Sequence, residues 1–477
     1  MKLPQEFIES MTAHLGKDEF DKLSAALQSE PPVSIRFNPE KINTAEIEGM
    51  INEHKATRVP WCDLGYYLNE RPQFTFDPLL HAGCYYVQEA SSMFLWHILS
   101  EYTETRKHCG NPAQEPETSP ITAFDLCAAP GGKSTIALSL LPEDSVLIAN
   151  EAIRQRSNIL AENIIKWGMP NCIVTNNYAE DFKDFTATFD IIICDVPCSG
   201  EGMFRKDHNS INEWSASNVA ACCKTQKDIV NNIWHTLKEG GLLIYSTCTY
   251  NPHEDEENVE WIAKNLGAEI LSCNAKEGWH LAEKHTHFYP HIIKGEGFFV
   301  SILRKKGNEE KDTGCTANKK KGIKNKQQSK SKIPQELRGW MNTEGNLTIY
   351  EDNGSYRAFP LAHKTILQRA QNSLRIVHSG IELAKPKGKG LQPSHSLAMS
   401  TLLNRNAFPQ VELTRQQALA YLRTEALTLP EKTPAGYVLL TYKGHPIGFA
   451  KNIGNRANNL YPSEWKIRSS HIPNAQQ

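Results

Sequence analysis

Three side chains able to do chemistry stand at the ends of two apolar runs. Ile191-Ile192-Ile193-Cys194 leads into Asp195-Val196-Pro197-Cys198-Ser199-Gly200, and Leu242-Leu243-Ile244-Tyr245-Ser246-Thr247 leads into Cys248. An apolar run closed by turn residues reads as a buried strand. In open parallel sheets, ligands sit just beyond the carboxyl ends of the strands. Asp195, Cys198 and Cys248 are therefore expected at the mouth of one site. Two thiols beside one carboxylate suggest covalent chemistry.

A second feature is the turn Phe124-Asp125-Leu126-Cys127-Ala128-Ala129-Pro130-Gly131-Gly132-Lys133-Ser134. It falls one residue short of a phosphate-binding loop, which needs glycine six positions before its lysine. Cys127 stands there, with a Cβ where the loop wants glycine's backbone freedom. Glu151 ends the next apolar run. At about 20 residues beyond such a turn, a carboxylate can accept both ribose hydroxyls. No Gly-x-Gly-x-x-Gly is present. A nucleoside without phosphates, S-adenosylmethionine, fits this pattern best, bound by residues 127–133 and Glu151. A P-loop-like NTPase is the alternative, with Asp195 as the acid that holds magnesium. The bland reading is a tight Gly-Gly turn and a helix-capping Glu.

Which methyl acceptor needs cysteine? Oxygen and nitrogen acceptors need positioning and a base. Carbon 5 of a pyrimidine is too weak a nucleophile until a thiolate adds to carbon 6. Electrons then move toward ring nitrogen N3, which must be protonated or hydrogen-bonded. Asp195 suits that task where burial keeps its proton. One cysteine attacks and the other assists release; the residues alone do not assign which. Cys194, inside its run, is expected to be an inert core thiol. Cys127, in the cofactor turn, and Cys222-Cys223, on a helix, are expected to be structural.

The elements that position these groups follow from periodicity. Strands are expected at 121–126, 146–150, 172–176, 189–195, 241–247, 268–273 and 297–304, and helices at 132–141, 152–167, 213–238 and 255–266. This alternation predicts an α/β, doubly wound sheet. A loop rather than a helix separates the last two strands, so the final one is free to join antiparallel. Upstream, residues 4–28 read as one helix and 33–38 as a strand; 89–100 read as a helix and 103–120 as a polar insertion. Aromatics of 54–86 beside Arg58 and Arg71 read first as a small core, and second as base-stacking groups. Lys-rich residues 306–332 read as a flexible basic linker, either a plain tether or a phosphate contact. Residues 333–477 read as a separate α+β region with a basic loop, Lys385-Pro386-Lys387-Gly388-Lys389-Gly390.

The 477 residues carry a formal net charge of −2, so nucleic-acid binding would rest on local patches. The twelve cysteines include no Cys-x-x-Cys, which argues against structural zinc. Several fall in expected core strands, pointing to reduced thiols and a cytoplasmic setting. The first residues hold no signal-like apolar stretch, and no apolar run approaches the roughly 18 residues of a membrane span.

These motifs resemble the Sun family of RNA (cytosine-5) methyltransferases. The resemblance rests on Ala129-Pro130-Gly131-Gly132-Lys133, Asp195-Val196-Pro197-Cys198-Ser199-Gly200, Ser246-Thr247-Cys248-Thr249-Tyr250 and Glu256-Glu257-Asn258, in that order. It extends to His81–Met93 and to Gly200–Asp207. Pro393-Ser394-His395 and Gly448-Phe449-Ala450-Lys451, leading to Asn459-Leu460-Tyr461-Pro462, are similar to its ribosomal RNA branch of RsmF type. The resemblance implies a Rossmann-like methyltransferase domain at 89–305 between an RNA-binding region at 1–88 and a C-terminal RNA-binding region ending in a PUA-like fold. It implies 16S ribosomal RNA as partner, with transfer RNA as runner-up, and neither a metal nor a membrane. By the same resemblance Cys248 is the nucleophile and Cys198 the release cysteine. Asp195 lies beside base and cofactor, and Cys127, Ala128, Ala129, Pro130, Gly131, Gly132, Lys133 and Glu151 hold S-adenosylmethionine. Where the family commonly has an Asp near adenine, this chain has Asn176-Asn177-Tyr178. An Asn amide or the Tyr178 ring is left to take that contact.

Overall fold

The structure, a computed structural model, describes residues 2–108, 119–307, 333–342 and 346–469. The expected linker, from residue 308 on, lies outside the described residues. Its centre is a sheet of β1 (Thr122–Asp125), β2 (Val146–Asn150), β3 (Cys172–Thr175), β4 (Phe189–Asp195), β5 (Leu237–Thr247), β6 (Ala268–Leu271), β7 (Thr286–Phe288), β8 (Phe298–Lys305) and β9 (Ile376–Ser379). The strand order is β6-β8-β5-β4-β1-β2-β3-β9, with β7 paired to β8. Strands β1 to β5 run parallel. Strand β8 joins β5 antiparallel, as its preceding loop allows, and β6 and β7 pair with β8 antiparallel.

Parallel strands covered on both faces read as continuous apolar runs because each side chain meets a core. Along β4, Ile191 and Ile193 enter one apolar cluster while Ile192 and Cys194 enter the other. The first cluster is closed by α1 (Phe94–His108), α2 (Gly132–Leu140) and α3 (Arg154–Trp167), the second by α4 (Ala216–Ile233) and α5 (Glu256–Leu266). Chain order reverses between β1 and β4, so the crevice for a ligand opens at their carboxyl ends.

Three differences from the sequence reading have physical causes. The helix expected over 4–28 is two, Gln5–Leu15 and Lys17–Leu27, broken where Gly16 takes φ +82°. The helix expected to stop near 100 runs on to His108. In agreement with the first reading, the aromatics Trp61, Tyr66, Tyr67, Phe76 and Tyr85 are buried in apolar clusters.

The third concerns residues 333–477, which are not set apart. Strand β9 pairs antiparallel with β3 and closes what would be an open sheet edge. Phe359, Leu367, Ala370 and Leu374 join the second core cluster. Leu413, Leu419, Tyr421 and Val438 share a cluster with Ile35, Phe37, Tyr66 and Tyr85 of the N-terminal region. Among the described residues no helix is long and apolar enough to cross a membrane.

Leu367→Ala should lower stability by about 2–5 kcal/mol, the range for a buried leucine truncated in a packed core. Denaturant unfolding measures it; wild-type stability would contradict the seating of helix Lys364–Ser373 on the sheet.

Candidate active site

The turn after β1 begins α2 with Gly131 in the left-handed region, at φ +118°. A Cβ on Gly132 would lie 3.3 Å from the Gln88 side chain, so a small residue suits the close approach. Asn150, at the end of β2, donates to Leu126 O at 3.0 Å and accepts Ala128 N–H on its carbonyl at 2.8 Å, tying the turn down. Beside it Glu151 is buried. Its Oε1 accepts the Ile153 amide at 2.9 Å. Its Oε2 has no hydrogen-bond partner, with Arg156 Nη1 standing 3.5 Å away. A buried carboxylate oxygen without a donor is an unusual feature, and hydroxyl groups of a ribose would satisfy it. The residues expected to hold S-adenosylmethionine thus fit a nucleoside.

Of the three candidates for adenine contact, two are engaged elsewhere. Asn176 Nδ2 donates to Glu151 O and Ala152 O, both at 2.8 Å. Asn177 donates to Asp181 Oδ2 at 3.1 Å and accepts the Arg375 amide at 3.0 Å. Tyr178 is 64% exposed, a free ring beside the cradle.

The thiols meet one strand over. Cys198 Sγ lies 3.1 Å from Cys248 Sγ, and the Cys248 amide points at Cys198 Sγ from 3.4 Å. Asp195 at the end of β4 faces Ser246 on β5, whose Oγ donates to Asp195 Oδ1 at 2.6 Å. Lys133 Nζ lies 2.8 Å from Asp195 Oδ2 and 5.0 Å from the Phe298 ring centre. Burial alone would lower the pKa of Lys133; the charge and hydrogen bond of Asp195 outweigh it and hold the ammonium above its ordinary value. The Cys198 thiol is pushed far up, first by its hydrogen bond with Cys248 and then by burial. Cys194 is fully buried, and burial pushes its thiol up, the marks of an inert core cysteine.

One expectation needs correction. Asp195 lacks the burial on which its expected role rests. Its side chain is 34% exposed and ion-paired. The group that faces this carboxylate is the Lys133 ammonium.

Comparison with known proteins places this geometry. The description "16S rRNA methyltransferase RsmB/F" matches residues 113–304, the N-terminal domain of RsmF matches 3–90, and the RsmF PUA domain matches 408–467. Ribosomal RNA small subunit methyltransferase F of Aliivibrio fischeri (strain MJ11) is 31% identical, over 97% of this chain and 97% of that protein. The protein of the same name from Enterobacter sp. (strain 638) is 30% identical, over 97% of this chain and 95% of its own length.

The chain belongs to the ribosomal RNA small subunit methyltransferase F family.

Among solved structures, a methyltransferase homologue from Pyrococcus horikoshii superposes with a TM-score of 0.52 at 25% identity, over 63% of this chain and 95% of that one. NSun6 from Pyrococcus horikoshii, solved with SFG, gives 0.52 at 20% identity, over 64% and 99%. The fold is therefore that of the Sun family: a Rossmann-like core between an N-terminal domain and a C-terminal PUA domain.

Membership of this methyltransferase family sets the NTPase alternative aside. Among the described residues, one group of metal-ligand type is close enough to share an ion, Asp255, Glu256 and His287, and His287 Nε2 already bonds Glu256 Oε1 at 2.8 Å. Sequence reasoning missed Ser246, Asp125 and the acids behind the thiols. Asp125 is fully buried and accepts Ser134 Oγ at 2.6 Å; both residues stand in the glycine-rich turn and were passed over for the glycines.

Burial pushes the Asp125 carboxyl up to about 7. Between the unfolded value near 4 and about 7, the native state holds a proton that the unfolded chain has released. Stability from this group is thus full below pH 4 and declines as pH rises toward 7. Asp125→Asn should flatten that decline in melting temperature. An unchanged slope would show that Asp125 ionises normally.

Proposed function

We propose that this chain methylates carbon 5 of a cytosine in small-subunit ribosomal RNA through a covalent bond to Cys248, with S-adenosylmethionine as donor. The observation that carries it is the pair of sulfurs 3.1 Å apart beside the Lys133–Asp195 ion pair. Transfer to oxygen or to an exocyclic nitrogen has no use for such a thiol pair; carbon 5 needs an attacking thiolate and a means of release. The small-subunit target follows from the relatives' names.

The Cys248 thiolate adds to carbon 6, and the electrons of the carbon 5–carbon 6 bond shift toward N3. The Lys133 ammonium, fixed by Asp195, is the donor placed to meet that charge. Held in the cradle of residues 127–133 and Glu151, S-adenosylmethionine supplies the methyl group that carbon 5 takes up. Loss of the carbon 5 proton to a base restores the double bond and expels the Cys248 sulfur. Cys198 stands in contact with that sulfur, where a proton can pass between the two. The contact supports the two cysteines acting as a pair, and the resemblance assigns Cys248 as nucleophile and Cys198 as release group. The exposed hairpin tip Lys385–Gly390, between strands Ile381–Lys387 and Gly390–Pro393, adds local positive charge for the RNA backbone.

Cys248→Ala should abolish methylation and leave adenosylmethionine binding intact in calorimetry. Cys198→Ala should accumulate a protein–RNA adduct, seen as a slow band on a denaturing gel. Adduct in Cys248→Ala instead would reverse the two roles, and turnover by Cys248→Ala would refute the mechanism.

A further inference from the structure

The loops that carry the two cysteines are tied to one another by a crossed pair of buried carboxylates. Glu201, three residues after Cys198, is fully buried and reaches the other loop. Its Oε2 accepts the Tyr250 amide at 2.8 Å, and its Oε1 accepts Asn251 Nδ2 at 3.0 Å and Trp214 Nε1 at 2.9 Å. Glu254, six residues after Cys248, is also fully buried and reaches back. Its Oε2 accepts the Ser199 amide at 3.0 Å and Gln226 Nε2 at 2.7 Å, and its Oε1 accepts Asn251 Nδ2 at 2.9 Å. Each acid thus binds the backbone next to the other loop's cysteine, and Asn251 bridges the two.

The backbone closes the same gap. The Gly202 amide donates to Cys248 O at 2.8 Å, and a Cβ on Gly202 would fall 2.6 Å from Gly297 O. The N-terminal helices lie over this junction, with Phe7 edge-on to Phe204 at 5.1 Å and to Trp214 at 5.6 Å. Two buried carboxylates cost desolvation that neutral side chains would avoid. What they supply is an acceptor-only anchor for several converging donors, which fixes geometry on both loops at once.

We propose that Glu201 and Glu254 are positioning residues that set the distance between the Cys198 and Cys248 sulfurs, and so govern release of the Cys248–base bond more than its formation. The proposal rests on the covalent reading given above. Attack on carbon 6 by Cys248 does not call on the Cys198 sulfur. Release by proton transfer needs the two sulfurs in contact, and a shift of about 1 Å can cost orders of magnitude in rate.

The test uses the full chain with Glu201→Gln and Glu254→Gln, each of which sets an amide donor against a donor. One readout is independent of methylation. Diamide oxidises two neighbouring thiols to a disulfide, taking two electrons and two protons and becoming the hydrazine; peptide mapping follows the Cys198–Cys248 bond. Wild type should close it rapidly and each variant about tenfold more slowly, the scale of a small misplacement. The second readout is the RNA adduct under rapid quench, which should form at the wild-type rate and persist in the variants. Asn251→Ala, which removes the shared donor and keeps both acids, should show the same pattern more weakly and serves if a Gln variant does not fold. Wild-type rates of disulfide closure and adduct release in the Gln variants would overturn the proposal. If Cys198→Ala accumulates no adduct, the covalent reading falls, while disulfide closure still decides whether the acids set the sulfur distance.

Discussion

The ion pair of Lys133 with Asp195 joins the two halves of the site. Lys133 belongs to the turn after β1, where the cofactor cradle forms. Asp195 ends β4, and its other oxygen takes the Ser246 hydroxyl from β5. Three neighbouring strand ends therefore converge on one carboxylate. Cys198 continues from β4 and Cys248 from β5, so both sulfurs inherit their positions from strands that this contact holds in register. The arrangement depends on the sheet's switch point, where the chain order reverses between β1 and β4 and leaves a crevice.

Within that frame the two thiols touch, with their sulfurs 3.1 Å apart. Cys198 sits where a hydrogen bond from its neighbour and burial keep its proton on. A thiol that keeps its proton is a poor nucleophile. Behind both lie Glu201 and Glu254, each bonded to backbone near the opposite cysteine. The N-terminal helices close over this junction through Phe7, Met11 and Phe20. A region read from sequence only as an RNA-binding appendage is thus also part of the wall of the site.

Much of the central fold was legible because buried parallel strands write themselves as apolar runs. All seven expected central strands are present within a few residues of their expected ends, and Asp195, Cys198 and Cys248 were picked out by standing at those ends. Strands β7 and β9 were not foreseen. Each is short, and Ile376-Val377-His378-Ser379 has no distinctive pattern; it becomes a strand because β3 offers an edge. The split at Gly16 was hidden because apolar spacing continues through it. What the sequence hid at Asp195 is its partner. Nothing local to Asp195 announces Lys133, and that contact replaces a buried carboxyl with an ion pair. Glu201 and Glu254 escaped for a related reason: their partners include backbone amides on a loop far along the chain, which no pattern of side chains encodes.

The central claim is that the Cys248 sulfur bonds to carbon 6 of a cytosine. RNA containing 5-fluorocytidine tests it most directly, because fluorine cannot leave carbon 5 as a proton does and the adduct is trapped after methyl transfer. Digestion of the trapped complex and tandem mass spectrometry should place the methylated fluorocytidine on Cys248, with Cys198 free. A nucleotide on Cys198, or no covalent nucleotide while ordinary RNA is methylated at cytosine, would contradict the account.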